Sequence, residues 1–167
     1  MFKESNNTSL TKYFLDPGYV YLPGKGTLAA SSLGSCVIVY IYDHKNRIGG
    51  LSHFQYPVTK NKKKCTTRYG NISILTLIRM FLALGSKKKH LEAQIFGGAH
   101  RPITFSKNMG WENVKLARKA LKREGIYIAS EDVGGTKGRK VVFNTKTNEV
   151  AILKVNDLPD NEWYPYK

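Results

Sequence analysis

Short apolar runs separated by turn-forming residues alternate along most of the chain. Two of these runs, residues 37–42 (VIVYIY) and residues 48–56 (IGGLSHFQY), flank the polar cluster DHKNR and predict a β-hairpin. The first run is apolar on both faces, which is typical of a strand buried between two layers. Residues 18–23 fit a short strand that ends at Pro-Gly, and residues 27–32 fit either a strand or a loop.

Two segments have the features of helices. Residues 71–84 (NISILTLIRMFLAL) are apolar nearly all round, which predicts a deeply packed helix with Asn71 as N-cap and Gly85 as C-terminal stop. Residues 111–124 carry an apolar stripe opposite a basic face and are followed by Gly125. Both helices therefore lie in the middle of the chain.

The remaining apolar runs predict strands, and the order of the elements indicates the fold class. These runs are HLEAQIFGG, IYIAS, RKVVFNT and VAILKV, with turns at EDVGG and KTNE. Several strands and two central helices predict an α/β (α+β) sandwich with mixed or antiparallel sheets. We expect one domain over residues 1–167, with residues 1–15 as a loose leader and residues 156–167 as a C-terminal tail that docks through its aromatic residues.

The composition agrees with one folded domain, because 41% of the 167 residues are hydrophobic and 11% are aromatic. No stretch approaches the roughly 18 to 20 uncharged apolar residues that span a bilayer. The N-terminal segment MFKESNNTSLTKYF is polar and lacks an apolar signal segment. We therefore expect a soluble, cytoplasmic protein without membrane insertion.

The formal net charge is +15, with basic clusters near residues 60–64, 87–89, 115–123 and 137–140. This charge is compatible with an acidic partner such as nucleic acid, a membrane surface or an acidic protein. It is also compatible with a solvated, lysine-rich surface, and we favour this interpretation because the charge is spread along the chain and Lys outnumbers Arg. No nucleic-acid-binding motif is present, and we expect no nucleic-acid partner.

The chain has two cysteines, Cys36 and Cys65, and they do not form a metal-ligand pattern. We therefore expect two free thiols, no metal and no cofactor. Cys65 lies in the polar stretch NKKKCTTR, where we expect it to be exposed. Cys36 follows Leu-Gly-Ser at the head of the first hairpin strand, 17 positions before His53.

Whether Cys36 and His53 meet depends on the length of the hairpin loop. A two-residue loop at residues 44–45 places them directly opposite, with Cβ atoms about 4.5 to 5.5 Å apart. A four-residue loop makes them diagonal neighbours on one face. A three-residue loop puts them on opposite faces unless a bulge restores the phase.

If the two side chains meet, the pair has the chemistry of a cysteine hydrolase. The imidazole would take the proton of the thiol, and later it would protonate a leaving amine. The backbone at Gly34 and Ser35, directly before the cysteine, would face an oxyanion. The alternative is structural, because free cysteine is among the most frequently buried residues and a strand histidine often forms ordinary hydrogen bonds.

Four stretches of the sequence resemble the CheD family of chemoreceptor glutamine deamidases. They are LGSCVIVYIYD, IGGLSHFQYP, IFGGAH and EDVGGTKGRKVVFNTKTNEV, and the resemblance covers residues 19–155 in the family's order. It implies an α/β sandwich similar to the catalytic domains of cytotoxic necrotizing factor toxins. It further implies a protein-glutamine glutaminase with Cys36 as nucleophile and His53 as general base. The implied substrate is a glutamine on the cytoplasmic helices of a chemoreceptor, and the implied partner is a CheC-type phosphatase.

One position departs from the family pattern. The resemblance implies a catalytic threonine six residues before the cysteine, where this chain has Ala30. Ser32, on the same face of an extended segment, and Ser31, with a local bulge, are candidates for the third member. Without either, the chain would be a catalytically weak adaptor that regulates a CheC-type phosphatase.

Overall fold

The computed structural model describes residues 10–103 and 106–164. Within these residues the chain forms nine β-strands and two α-helices. In chain order they are β1 (Thr11–Phe14), β2 (Val20–Tyr21), β3 (Thr27–Leu33), β4 (Val37–Asp43), β5 (Ile48–Phe54), α1 (Gly70–Ala83), β6 (Leu91–Gly97), α2 (Met109–Arg123), β7 (Tyr127–Val133), β8 (Gly138–Asn144) and β9 (Glu149–Val155).

The strands form two sheets, and the helices cover one face of the larger sheet. The five-stranded sheet has the order β2-β5-β4-β6-β7, and the four-stranded sheet has the order β1-β3-β8-β9. Val37, Val39 and Ile41 of β4 pack with apolar residues of both helices. The alternate residues Ile38 and Tyr40 pack against the four-stranded sheet. The predicted two-sided burial of this strand and the mixed α/β sandwich are both confirmed.

Each sheet combines parallel and antiparallel pairing. β4 pairs antiparallel with β5 and β6, while β6 pairs in parallel with β7. In the second sheet β8 pairs antiparallel with β3 and β9, while β1 pairs in parallel with β3. The segment at residues 27–32, for which a strand and a loop were both open, is therefore a strand, since β3 has a partner on each side.

Both predicted helices are present, but they start differently from the prediction. The predicted deep packing of α1 is wrong in part, because only one side of the helix is buried and Arg79 and Leu82 on the other side are exposed. α1 has Tyr69 as its N-cap, because the amide of Asn71 bonds instead to the backbone of Thr59. The predicted Asn71 cap is therefore wrong, whereas Gly85 follows the helix with a φ of 89° as expected. α2 begins at Met109 because the Asn108 side chain accepts a hydrogen bond from Trp111 N at 2.9 Å.

The predicted turn at EDVGG is partly wrong. The last three residues of β7 pair in parallel with the end of β6, so this strand continues through Val133. The chain turns only at Gly134 and Gly135, which have φ values of 74° and 72°. Backbone pairing with β6 thus extends a segment whose Glu-Asp composition is typical of a turn.

The N-terminal end of the described chain is more ordered than a loose leader, and the C-terminal segment docks through its buried aromatic residues Trp163 and Tyr164. Residues 11–14 form β1, although residues 1–15 were expected to be a loose leader, and Leu15 is fully buried. All four β1 side chains are exposed, so no apolar pattern marks this strand. Residues 1–9 of the expected leader and residues 165–167 of the expected tail lie outside the described residues. No helix in the described ranges has the length and apolar character needed to cross a membrane.

Candidate functional site

The β4–β5 hairpin has a four-residue loop, one of the three alternatives that the sequence leaves open. Asp43 pairs with Ile48 on either side of residues 44–47. The carboxylate of Asp43 accepts hydrogen bonds from the backbone N–H groups of Lys45 at 2.9 Å and Asn46 at 3.0 Å. The backbone carbonyl oxygen of Asp43 accepts a hydrogen bond from Arg47 N at 2.7 Å, and Arg47 has a φ of 54°. The Asp43 side chain therefore stabilises this loop length.

This loop length places Cys36 and His53 on one face of the hairpin as diagonal neighbours. His53 pairs directly with Ile38, and Cys36 lies two residues before Ile38. Diagonal pairs on an antiparallel sheet have α-carbons about 7 to 8 Å apart, within reach of a long side chain. The face is the one that packs against the four-stranded sheet, and both side chains are fully buried.

The imidazole of His53 is held in one tautomer by two oxygen atoms. Its Nδ1 lies 3.2 Å from Leu15 O and 3.2 Å from Ser31 Oγ. Ser31 Oγ donates its own proton to Leu15 O at 2.8 Å, and a carbonyl oxygen only accepts. Nδ1 must therefore carry the proton, and Nε2 carries the lone pair.

Nε2 of His53 is buried and has no hydrogen-bond partner among the described residues. No hydrogen bond therefore joins it to the sulfur of Cys36 in this structure. The ring thus presents a proton acceptor that is not engaged, on the same sheet face as the thiol. Buried polar atoms without a partner are uncommon and cluster where chemistry requires them.

Burial shifts both titratable groups toward their neutral forms. Desolvation lowers the pKa of His53 from 6.5 to about 4, against the opposing effect of its bond to Leu15 O. Desolvation also raises the pKa of the Cys36 thiol well above its usual range, and the carboxylate of Glu162 raises it further. The guanidinium of Arg68 acts in the opposite direction. In this arrangement the pair is a neutral thiol and a neutral imidazole.

Of the two candidate serines, the structure brings one to the histidine. Ser31 points between the sheets and contacts His53, as described above. Ser32 and Ala30 lie on the opposite face of β3, because alternate residues of a strand face opposite sides. Ala30 borders a shallow surface depression together with Phe14 and Val142.

The segment before the thiol is held in place by its carbonyl groups. Gly34 O accepts a hydrogen bond from Ala99 N at 3.0 Å, and Cys36 O accepts one from Gly98 N at 2.9 Å. Ser35 O accepts one from Asn113 Nδ2 at 3.0 Å. These three bonds fix the peptide planes around residues 34–36 against the end of β6 and against α2.

Sequence reasoning missed two residues that shape this site. Leu15 acts through its carbonyl oxygen, which no side-chain pattern reveals. Asn113 is fully buried in α2 and also donates to Gln55 O at 2.9 Å, so it ties the cysteine segment to the end of β5. A polar residue on the apolar stripe of a helix is a signal that was available for Asn113.

The C-terminal segment, residues 156–164, covers the cysteine from outside. Ser35 Oγ donates to Tyr164 O at 2.8 Å and accepts from Tyr164 N at 2.7 Å. Gly34 lies directly under the backbone of Glu162, and any side chain at Gly34 would collide with Glu162 O. Tyr164 belongs to the same apolar cluster as Cys36. Cys36 itself is fully buried within that cluster.

A basic, aromatic depression of about 320 Å³ lies beside this cover. The ring of Tyr56, in its wall, lies edge-on to Tyr164, with ring centroids 6.2 Å apart. The lining of the basic depression consists of Tyr56, Lys63, Lys64, Thr66, Arg68 and Tyr69. A second, larger depression of about 750 Å³ lies along β7 and shares no residue with the candidate site.

Fold and site together define a class: a mixed α/β sandwich with a buried thiol and an oriented imidazole between its two sheets. A sequence model of the family described as CheD chemotactic sensory transduction matches residues 56–154 of this chain. The match covers more than half of the chain. The chain belongs to the CheD family.

Curated relatives extend this match toward the N-terminus. The chain is 35% identical to a probable chemoreceptor glutamine deamidase CheD of Trichlorobacter lovleyi, over 89% of this chain and 94% of that protein. It is 34% identical to a probable chemoreceptor glutamine deamidase CheD 2 of Geobacter sulfurreducens, over 91% and 95%. It is 33% identical to a probable chemoreceptor glutamine deamidase CheD of Thermococcus kodakarensis, over 83% and 89%.

Proposed function

We propose that this chain is a protein-glutamine glutaminase that converts glutamines of chemoreceptors to glutamates, with Cys36 as nucleophile and His53 as general base. The observation that carries the proposal is the tautomer of His53, whose Nδ1 is held by Leu15 and Ser31. The free lone pair of Nε2 lies on the face that also bears Cys36. Membership of the CheD family, whose curated members carry this activity in their names, supports the same substrate class.

In the first half of the reaction, Nε2 of His53 takes the thiol proton and the thiolate attacks the carbonyl carbon of the glutamine side chain. The tetrahedral intermediate collapses with cleavage of its C–N bond. The imidazolium returns the proton to the departing nitrogen, which leaves as ammonia. A thioester then joins Cys36 to the former glutamine side chain.

In the second half, His53 takes a proton from a water molecule, whose oxygen attacks the thioester carbonyl. The C–S bond breaks, and the sulfur regains a proton from the imidazolium. The products are a glutamate side chain and free enzyme. No redox partner, metal or cofactor is needed for the balance of atoms.

Two further roles belong to residues around the pair. Ser31 orients the imidazole, and it takes the place of the threonine that the family pattern puts at Ala30. Backbone N–H groups of the Gly34–Ser35 segment face the oxyanion. The Gly34 carbonyl is bonded to Ala99 N, and in a trans peptide this directs the Ser35 N–H to the opposite side. Ser32, on the other face of β3, has no part in this mechanism.

The substrate and its location follow from the same proposal. The glutamine lies on a cytoplasmic helix of a chemoreceptor, so the protein acts in the cytoplasm. The receptor helix presents its side chain at a shallow site, because a folded helix cannot enter a deep one. A CheC-type phosphatase is the second proposed partner, and the family resemblance is what supports it.

The test is mass spectrometry of a receptor cytoplasmic fragment that is co-expressed with this protein. Each modified glutamine gains about one dalton, because an amide NH₂ is replaced by OH. Replacement Cys36→Ala abolishes the gain. The matched control is Cys65→Ala, which removes the exposed thiol and leaves the gain unchanged. An unmodified receptor with correctly folded wild-type protein contradicts the proposal.

The second candidate is a catalytically weak adaptor that binds and regulates a CheC-type phosphatase. The complete burial of Cys36 and its raised pKa favour this function, since a protonated, enclosed thiol is a poor nucleophile. Under this alternative, Cys36→Ala leaves every effect of the protein on the phosphatase unchanged. Under the same alternative, the mass of the receptor is unchanged with the wild-type protein and with every variant.

A further inference from the structure

The proposed reaction requires a carboxamide to reach a sulfur atom that the described structure encloses completely. Cys36 has no exposed surface, and the described chain that lies over residues 34–36 is the C-terminal segment. We infer that this segment, residues 156–164, is a self-inhibitory occupant of the substrate surface and that an acidic segment of the receptor displaces it. This inference rests on the proposed function, since it concerns access to the same thiol.

The segment is held by contacts that are separate from the chemistry. Trp163 is buried in a small cluster with Ala99 and Leu158. Arg101 lies over the Trp163 ring, 4.6 Å from its centroid, and also pairs with Asp160 at 3.1 Å. Gly138 makes room for Leu158, because a side chain at Gly138 would collide with it. One half-buried arginine, a few apolar contacts and the two Ser35–Tyr164 hydrogen bonds therefore anchor the cover.

The segment has the opposite charge to the surface around it. Asp157, Asp160 and Glu162 are three of the twelve acidic residues of a chain with a net charge of +15. Beside the segment lies the basic depression with Lys63 and Lys64. A surface that binds an acidic segment of its own chain is complementary to acidic segments of other proteins.

Tyr164 bonds to the hydroxyl group of Ser35 through both its backbone N–H and its backbone C=O. A substrate backbone or carboxamide has the same donor and acceptor groups. Departure of the segment removes the carboxylate of Glu162, which contributes to the raised pKa of Cys36, and leaves the opposing Arg68 in place. Displacement therefore exposes the thiol and favours its ionised form at the same time.

The test measures alkylation of Cys36 by iodoacetamide in a Cys65→Ser background, so that one thiol reacts. In this parent protein we expect slow alkylation compared with the urea-unfolded chain. Trp163→Ala raises the rate by at least about tenfold, because it weakens the anchor of the segment and populates the open form. A synthetic peptide with the sequence of residues 156–164 lowers that rate again when added in excess.

Arg101→Gln is the gentler variant, in case loss of a buried tryptophan unfolds the protein. It removes one cation–π contact and one ion pair, and we expect alkylation to become faster by about three- to tenfold. Arg118→Gln is the matched control, since Arg118 lies over the Trp111 ring at 5.1 Å and pairs with Glu131 at 2.9 Å, away from the cysteine. We expect no change of rate in this control.

Two results overturn the inference. One is an alkylation rate for Arg101→Gln equal to that of Arg118→Gln, with unchanged circular dichroism in both. The other is a parent protein that reacts as fast as its unfolded chain. The alkylation test needs no receptor, so its outcome is separate from that of the deamidase test. Faster alkylation of the variants, together with a receptor whose mass does not change, would contradict the deamidase proposal alone.

Discussion

At the scale of single residues, the charge state of His53 makes folding stability depend on pH. The pKa of His53 is about 4 in the folded chain and about 6.5 in the unfolded chain. Between these values the unfolded chain binds more protons, so the free energy of unfolding decreases as pH falls. We expect a loss of about 2 kcal/mol between pH 7 and pH 5 from this group alone.

His53→Gln isolates that contribution, because an amide can still donate to Leu15 O and does not titrate. We expect urea denaturation to give a smaller loss of stability between pH 7 and pH 5 for this variant than for the wild type. Glu162, whose pKa is raised by burial and by Asp16, has an opposite dependence that is common to both proteins. Identical pH slopes for the two proteins would show that folding does not lower the pKa of His53.

The sequence predicted the site as a pair, with Ser31 and Ser32 as alternative third members, and it did not indicate Leu15. The spacing of Cys36 and His53 permits one shared face for two of three loop lengths, and the resemblance to a family suggested their roles. The contact at Leu15 is made by a backbone oxygen, and its position depends on β1, which has no apolar pattern. Ser31 and Ser32 differ only in which face of β3 they occupy, and pairing with β8 decides that.

At the scale of secondary structure elements, the end of β6 supports the cysteine segment from behind. Gly97 has a φ of 105°, which side chains of L-residues rarely allow. A Cβ atom at Gly97 would collide with Cys36 O and crowd the Leu33 side chain. We expect Gly97→Ala to lower the free energy of unfolding by more than about 2 kcal/mol, measured by chemical denaturation.

Gly125→Ala separates backbone strain from crowding. Gly125 also has a positive φ, 70°, but no atom lies within 4 Å of the position that a Cβ atom would take there. We expect it to lose only about 1 kcal/mol, the cost of a left-handed conformation for alanine. Equal losses for the two variants would mean that the contact with Cys36 O has no effect on stability.

The elements themselves followed from the sequence to different degrees. The buried β4 was predicted because burial on both faces leaves a continuous apolar run. The apolar run of α1 predicted the helix but overstated its burial, since Leu82 on its outer side is exposed. The predicted N-cap of α1 was wrong because the Asn71 amide bonds to the backbone of Thr59 in a loop. The predicted length of β7 was wrong because pairing with β6 extends the strand through residues whose composition is typical of a turn. Local pattern carries no information on such long-range contacts.

At the scale of the whole molecule, the net charge of +15 is spread over many basic residues with different surroundings. Most basic residues lie on the surface, where water and salt screen them, so their number says little about a partner. The basic depression is different, because it adjoins the acidic C-terminal segment over Cys36 through the Tyr56–Tyr164 contact. Local position, and not total charge, therefore makes the lysines of the basic depression the expected contact for an acidic receptor helix under the proposed function.

Two double variants with the same net charge test this argument. Lys63→Glu with Lys64→Glu reverses charge in the basic depression, whereas Lys87→Glu with Lys89→Glu reverses charge at exposed positions before β6. We expect the first to lower kcat/KM for ammonia release from a receptor fragment by about tenfold at low salt, and the second to have little effect. Raising ionic strength from about 0.05 to 0.5 M should remove most of the difference. Equal losses in the two variants would indicate that total charge, rather than the depression beside the candidate site, steers the receptor.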